Sequence, residues 1–341
     1  MADAPDFVTL GMFIIDEFSF TDQNGKPTGK TLPSQIGGGG TYAAIGARIW
    51  LPPHRVGMIV DRGNDFPQDV QDKLLSYGAN IWHFRNRDDR GTTRALNSYR
   101  GLTPRDLHET RFAWPRALHF ICSPTRALEI ISEVEQVDRW EPTMIFEPIP
   151  YRCVPEELPS LVKVLPFISV LSPNAEEALS LLSMPTPVTK ESVETAAVRF
   201  LNMGMGSAGK GCVIIRSGAL GAYLATKASG GQWVDAFWTP NDNGKVIDVT
   251  GAGNSFLGGL AAGLLLTGGD FCEGKSTHFW GICVVSQQRG VATLYAAVSA
   301  SFVIEQSGLP VLKWNNDIPQ RRVDALRQRH LQLDKIRNKD H

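Results

Sequence analysis

The sequence predicts an α/β fold with a mostly parallel central sheet covered by helices on both faces. Three observations lead there. Apolar, β-branched runs recur along the chain and read as buried strands. Segments with helical apolar spacing lie between them, and that alternation is what parallel strands joined by crossover helices require. With 341 residues, 43% of them hydrophobic and 20% charged, the chain can bury a sizeable core and is too apolar for disorder.

Strands are predicted at residues 7–15, 55–60, 79–84, 117–121, 143–146, 167–171 and 211–216, with helices at 41–50, 70–77, 125–137, 175–182 and 192–203. After residue 211 come a hairpin (222–225 with 233–238), a glycine turn, and apolar helices at 254–266 and 294–306. Two stretches break the rhythm. Residues 16–37 carry a polar tract between short apolar pieces, and residues 92–100 alternate like a half-exposed strand. Together they predict a small β lid. Residues 268–290 read as an insertion, and the tail at 316–341 is basic, with Val323, Leu326, His330 and Leu333 on one helical stripe. That tail reads as a solvated terminal helix held by a narrow seam, with a partner-binding helix as the alternative.

Composition excludes several function classes. Lys+Arg number 34 against 35 Asp+Glu, so no basic footprint for nucleic acid is expected. The five cysteines, Cys122, Cys153, Cys212, Cys272 and Cys283, are odd in number and far apart, and are expected to be reduced core thiols without structural zinc. The seven histidines lack metal-binding spacing. The start lacks a signal-peptide pattern, and the longest nearly apolar run, residues 257–266, is half the length that spans a bilayer. A cytoplasmic protein without a membrane partner is expected.

The 33 glycines, about one residue in ten, exceed the roughly 7% of average usage. They cluster at residues 37–40 before a helix, at Gly218 and Gly221 after a strand, and at Gly251 and Gly253 before a helix. A glycine turn running into a helix offers unpaired N–H groups and the positive end of the helix dipole, a ready anion site.

The stretch Asp248-Val249-Thr250-Gly251-Ala252-Gly253-Asn254-Ser255-Phe256 resembles the second signature of the ribokinase-like (PfkB) carbohydrate kinases, D-T-T-G-A-G-D-S-F, at seven of nine positions. The Gly-x-Gly-Asn-Ser-Phe form resembles the yeast maintenance-of-killer branch. The resemblance covers roughly residues 7–312 and implies a three-layer αβα sandwich with a small β lid. A kinase domain at 1–315 and a separate tail at 316–341 follow. It implies that Gly251, Ala252 and Gly253 form an anion hole for the transferring phosphoryl group, and that the base position is Asn254. Asn174 and Glu177 are similar to the N-x-x-E motif that organises magnesium through water. Arg216, Gly218 and Gly221 look like the turn beside the nucleotide, to which Thr250 is added. On the substrate side the resemblance places Asp16, Gly38 and Gly39, with Thr41 or Tyr42, depending on whether a residue is taken as deleted, where the family usually has Asn, and Glu147 in the middle strand, which ends Phe146-Glu147-Pro148 where the family often has D-P-N-x-R. Asp248 stands where many members help hold a monovalent cation such as potassium. ATP, magnesium, a sugar or nucleoside, and a homodimer through the lid are the implied partners.

Asn254 divides the functional expectation. An amide orients a hydroxyl but does not take up its proton at neutral pH. One reading is a slow or specialised ATP-dependent kinase; the other is a pseudokinase that binds nucleotide or sugar and acts through protein contacts. Residues 269–276 also match the P-loop pattern G-x-x-x-x-G-K-S, but the segment before them reads as helix where a P-loop needs a strand.

Overall fold

A computed structural model describes residues 4–17, 19–21, 27–31, 34–94, 101–242, 244–268, 281–312 and 317–337. In chain order the elements are β1 (Phe7–Thr9), β2 (Ile14–Asp16), β3 (Ser19–Thr21), β4 (Pro27–Thr31), β5 (Gln35–Gly37), α1 (Gly39–Arg48), β6 (Val56–Gly63), α2 (Gln68–Leu75), β7 (Trp82–Arg87), β8 (Ala117–Cys122) and α3 (Pro124–Glu135). There follow β9 (Thr143–Pro148), α4 (Leu158–Val164), β10 (Val170–Leu171), α5 (Ala175–Leu181), α6 (Lys190–Asn202), β11 (Cys212–Arg216), β12 (Ala222–Thr226), β13 (Gly230–Val234), α7 (Ala252–Thr267), α8 (Gly281–Val303) and α9 (Asp317–Arg337).

Nine of these strands form one sheet in the order β13-β12-β11-β10-β9-β8-β1-β6-β7. It is parallel from β11 to β7, with the β12 and β13 hairpin antiparallel at one edge. Successive side chains of a strand point to opposite faces. Phe7, Val56, Met58 and Ile145 accordingly join one apolar layer with residues of α1, α7 and α8, while Val8, Ile59, Leu118 and Phe146 join the other with residues of α3, α5 and α6. The result is the expected αβα sandwich. β2 and β5 pair antiparallel outside the main sheet and form the lid, and a ribbon of β3 and β4 extends from it.

Several expected elements changed. The run at 7–15 is two strands in two sheets, because Gly11 meets the start of α1: a Cβ there would lie 2.6 Å from Gly40 Cα, so the chain leaves the main sheet and enters the lid. The strand expected at 79–84 begins as a 3-10 turn and runs on to Arg87, since Arg85 is held by Asp61 at 2.6 Å and Asp106 at 2.7 Å at the sheet edge. At 167–171 only Val170 and Leu171 are strand. Residues 281–290, expected within an insertion, are the opening turns of α8, which therefore starts well before residue 294. Residues 269–280, with the P-loop-like match, and lid residues 95–100 lie outside the described residues. The lid's second piece is visible at its start: Ile15 N–H donates to Thr93 O at 2.9 Å. No described helix is long and apolar enough to cross a membrane.

α9 packs on the body through its stripe, with Val323 and Leu326 fully buried. Arg322 lies over the Phe302 ring at 4.0 Å and pairs with Glu305.

Glycines set the spacing of the helices that carry the site. A Cβ on Gly46 would lie 2.7 Å from Ser255 Cα, and one on Gly258 would overlap Ala43 O. α1 and α7 therefore touch backbone to backbone. Part of the glycine excess is explained by helix packing, a use that the turn-based reading did not foresee.

Candidate active site

Both touching helices begin at glycines without a side-chain cap. Gly38 (φ 90°) precedes α1 and Gly251 (φ 76°) precedes α7. Left-handed φ favours glycine at both positions, and the Tyr42 ring fills the space that a Gly251 side chain would need. Gly40 N–H donates to Met12 O at 3.2 Å and Ala252 N–H to Val249 O at 3.1 Å, and the other N–H groups of these first turns, which no side chain caps, are placed for an external acceptor. The two entrances meet: Asn254 Nδ2 lies 2.9 Å from the position of a Cβ on Gly39.

Under these entrances the strands contribute a polar row. Thr9, His119, Glu147 and Arg216 follow the alternation of Phe7, Ala117, Ile145 and Ile214, so all four point to the face that carries α1 and α7. Glu147 is its centre. Its Oε2 accepts from Asn254 Nδ2 at 2.8 Å and lies 3.5 Å from His119 Nε2, while Oε1 meets Arg216 Nη2 at 2.8 Å. His119 Nδ1 and Thr9 Oγ1 are 3.0 Å apart. Burial works to raise the Glu147 carboxyl, but Arg216, His119 and Asn254 together outweigh it and hold it below its ordinary value.

Arg216 ties the two sides of the site together. Nη2 also donates to Ser172 O at 3.0 Å and lies 3.8 Å from Glu177 Oε2, while Nη1 occupies the space that a side chain on Gly253 would take. Asn174 and Glu177 form a reciprocal cap on α5, with bonds of 2.7 and 2.8 Å. Desolvation raises the Glu177 carboxyl, with Arg216 opposing. A cavity of about 310 Å³ adjoins Arg216, Gly218, Gly221 and Gly253, with walls from Val249, Phe256, Ala297 and Ile304.

The remaining residues lie at the margins. Asp248 Oδ1 accepts from the Thr250 N–H at 2.9 Å and Oδ2 accepts from Ser307 Oγ at 3.3 Å, which together hold its carboxyl low. Asp16 sits on β2 over Gly37, half-buried and raised by that burial. Thr41 is fully buried, and its Oγ1 has no hydrogen-bond partner among the described residues. Tyr42 is buried, and burial together with Asp16 and Asp248 pushes its phenol up to about 12. Sequence reasoning missed Thr9, His119 and the ion pair of Arg216 with Glu147. The available signal was strand alternation, which puts a polar residue on the inner face near the carboxyl end of four strands.

A profile of the pfkB family carbohydrate kinases matches residues 121–309, more than half of the chain. The chain belongs to the pfkB family of carbohydrate kinases. The match includes Glu147, Asn174, Glu177, Arg216 and the α7 entrance of this pfkB protein. Relatives extend the likeness over most of the chain. An uncharacterised protein of Schizosaccharomyces pombe is 31% identical over 92% of this chain and 88% of its own. Protein MAK32 of Saccharomyces cerevisiae is 32% identical over 89% of this chain and 85% of its own, which supports the maintenance-of-killer branch. Among solved structures, the ribokinase of Giardia lamblia superposes with a TM-score of 0.65 at 18% identity, covering 94% of this chain and 99% of its own. An Arabidopsis thaliana ribokinase complexed with ribose and ATP gives 0.61 at 17% identity, covering 94% and 99%. These two structures establish the ribokinase-like fold of this pfkB chain.

Proposed function

We propose that this chain transfers the terminal phosphoryl group of ATP to a hydroxyl of a sugar, nucleoside or related small molecule. The observation that carries this reading is the contact between two uncapped helix entrances, at Gly39 and Asn254, beside a cavity with largely apolar walls. Phosphoryl transfer is catalysed mainly by positioning and charge stabilisation, and this arrangement supplies both. The turn Gly251-Ala252-Gly253 receives the transferring group through the N–H groups of Gly251 and Gly253, the Ala252 N–H being turned to Val249 O at 3.1 Å, and the Arg216 guanidinium lies against the same turn. Val249, which is 67% exposed, faces the nucleobase with Ile304 across the cavity, and Thr250, Gly218 and Gly221 border it. Asp16, Gly38 and Gly39 hold the second substrate, with Thr41, Tyr42 and Glu147 shaping the floor.

Among the described residues no group of three or more His, Cys, Asp or Glu could hold a metal ion. That suits magnesium carried on the nucleotide, since it keeps several waters and uses one or two carboxylates with the substrate phosphates. Glu177, through water, and Asn174 are the residues that would hold it, and bound magnesium would neutralise charge on the phosphates. Asp248, beside the α7 entrance, would hold potassium. A homodimer paired through the lid and a cytoplasmic location complete the reading.

One observation favours binding without turnover: Asn254 stands at the base position and cannot take up a proton itself. Release of ADP with a panel of sugars and nucleosides, alongside calorimetry with a non-hydrolysable ATP analogue and magnesium, decides between the two. Sugar-dependent ADP release establishes the kinase. Analogue binding with no release above background for any acceptor leaves the pseudokinase.

A further inference from the structure

The α7 entrance holds an amide where transfer to a hydroxyl calls for a proton acceptor, yet a carboxylate touches that amide. Asn254 Nδ2 donates to Glu147 Oε2 at 2.8 Å. An amide whose nitrogen is committed to one partner presents its oxygen on the other side, and no described residue donates to Asn254 Oδ1. The Glu147 carboxylate is itself fixed, by Arg216 Nη2 at 2.8 Å on its other oxygen.

We infer that Glu147 holds the proton that Asn254 cannot, with the Asn254 amide as the link between the carboxylate and the acceptor hydroxyl. This rests on the phosphotransfer reading above. The hydroxyl donates to Asn254 Oδ1. As its oxygen bonds to the γ-phosphorus, the O–H bond breaks and the proton passes to Oδ1, while a proton on Nδ2 passes to Glu147 Oε2. The bond from the γ-phosphorus to the bridging oxygen breaks, and its electron pair leaves with ADP. The amide, left as its imidic tautomer, recovers after the products leave, when Glu147 returns its proton to Nδ2 and the proton on Oδ1 passes to water. A weak acceptor suffices, because a hydroxyl becomes strongly acidic once its oxygen is bonding to phosphorus and the transition state is loose. Glu147 therefore acts through Asn254 as a positioning and proton-holding residue. The charged and titratable groups around it are His119 on β8, Arg216 on β11, Glu177 on α5 and Cys153 after β9. The competing role is that of a structural counter-ion for Arg216, with the Asn254 bond incidental.

The test compares full-length wild type, Glu147→Gln, Asn254→Asp and the double variant Glu147→Gln/Asn254→Asp. Each is read by kcat and KM for the best acceptor, by calorimetry with the ATP analogue, and by melting. Glu147→Gln should lower kcat about 100-fold or more, in the range of a lost proton acceptor, with KM moved less than fivefold. Asn254→Asp puts two carboxylates in contact, so they share a proton and the pH optimum moves toward acid. The double variant restores a carboxylate beside an amide with their places exchanged, and should recover kcat to within tenfold of wild type. A Glu147→Gln form that keeps at least half the wild-type kcat overturns the inference, as does a double variant no faster than Glu147→Gln. Should Glu147→Gln lose its cooperative melting, the decision falls to the other pair: Asn254→Asp turning over faster at neutral pH than the double variant overturns it. These results leave the phosphotransfer reading standing. If all four forms bind the analogue and none turns over, that reading fails and the role of Glu147 fails with it.

Discussion

Arg216 lies across Gly253, so that a side-chain carbon on the glycine would overlap Nη1 of the guanidinium. The same guanidinium holds Glu147 at 2.8 Å. The turn at the start of α7 is thus coupled to the buried carboxylate on β9 through one cation, and a change as small as a methyl group acts on both.

Gly253→Ala is expected to push Arg216 off Glu147 and leave a buried carboxylate without its cation. Breaking a buried pair in this way costs about 3 kcal/mol. Urea denaturation should show that loss, and calorimetry should show at least about a tenfold fall in affinity for the ATP analogue. An unchanged midpoint would mean that Arg216 has another position as favourable as this one.

At Gly251 two separate costs are predicted. The left-handed φ of 76° costs a residue with a side chain about 1–2 kcal/mol, and the added methyl group meets the Tyr42 ring. Gly251→Ala should therefore lower the melting temperature, and Tyr42→Ala in that background should relieve the clash while leaving the backbone strain. The double-variant cycle then reads a favourable coupling between the two sites.

Glu147 and Glu177 give opposite pH signatures. The Glu147 carboxyl is held below its ordinary value of 4.5, so its contribution to stability is complete above that pH and is lost as pH falls through the lower folded value. The Glu177 carboxyl is raised, so the folded state binds its proton more tightly and stability declines as pH rises from the ordinary value through the folded one. Glu177→Gln should raise the urea midpoint relative to wild type at pH 7, with the gap closing toward pH 4. A gap that widens toward acid would contradict the burial of that carboxylate.

The tail is expected to stabilise the domain. Arg322 covers the Phe302 ring at 4.0 Å and bonds Ser301 Oγ at 2.8 Å. Arg322→Ala should cost about 2 kcal/mol through lost packing and cation–π contact. Thermal melting of the full chain checks it, and a midpoint equal to wild type would mean that the apolar seam of Val323 and Leu326 holds α9 without Arg322.

Much of this molecule is legible in the sequence because parallel strands and crossover helices have separate periodicities. The starts of α1 and α7 were visible for the same reason: glycines beside apolar helices mark an entrance whichever way the helix packs. The break at Gly11 was not, because the neighbour that forces it, Gly40, is distant in sequence. Arg85 and Arg87 were hidden in β7 because a charged edge strand and a solvated loop look alike until Asp61 and Asp106 come to meet them.

The sequence by itself determined the fold class, the family and the absence of a carboxylate at position 254, since these depend on residue order and type alone. Only the tertiary structure decided what stands beside Asn254. Glu147 and Asn254 are 107 residues apart in sequence, and their 2.8 Å contact exists because strand alternation points Glu147 inward at the carboxyl end of β9. Gly46 and Gly258 then let α1 and α7 close over it to within backbone contact.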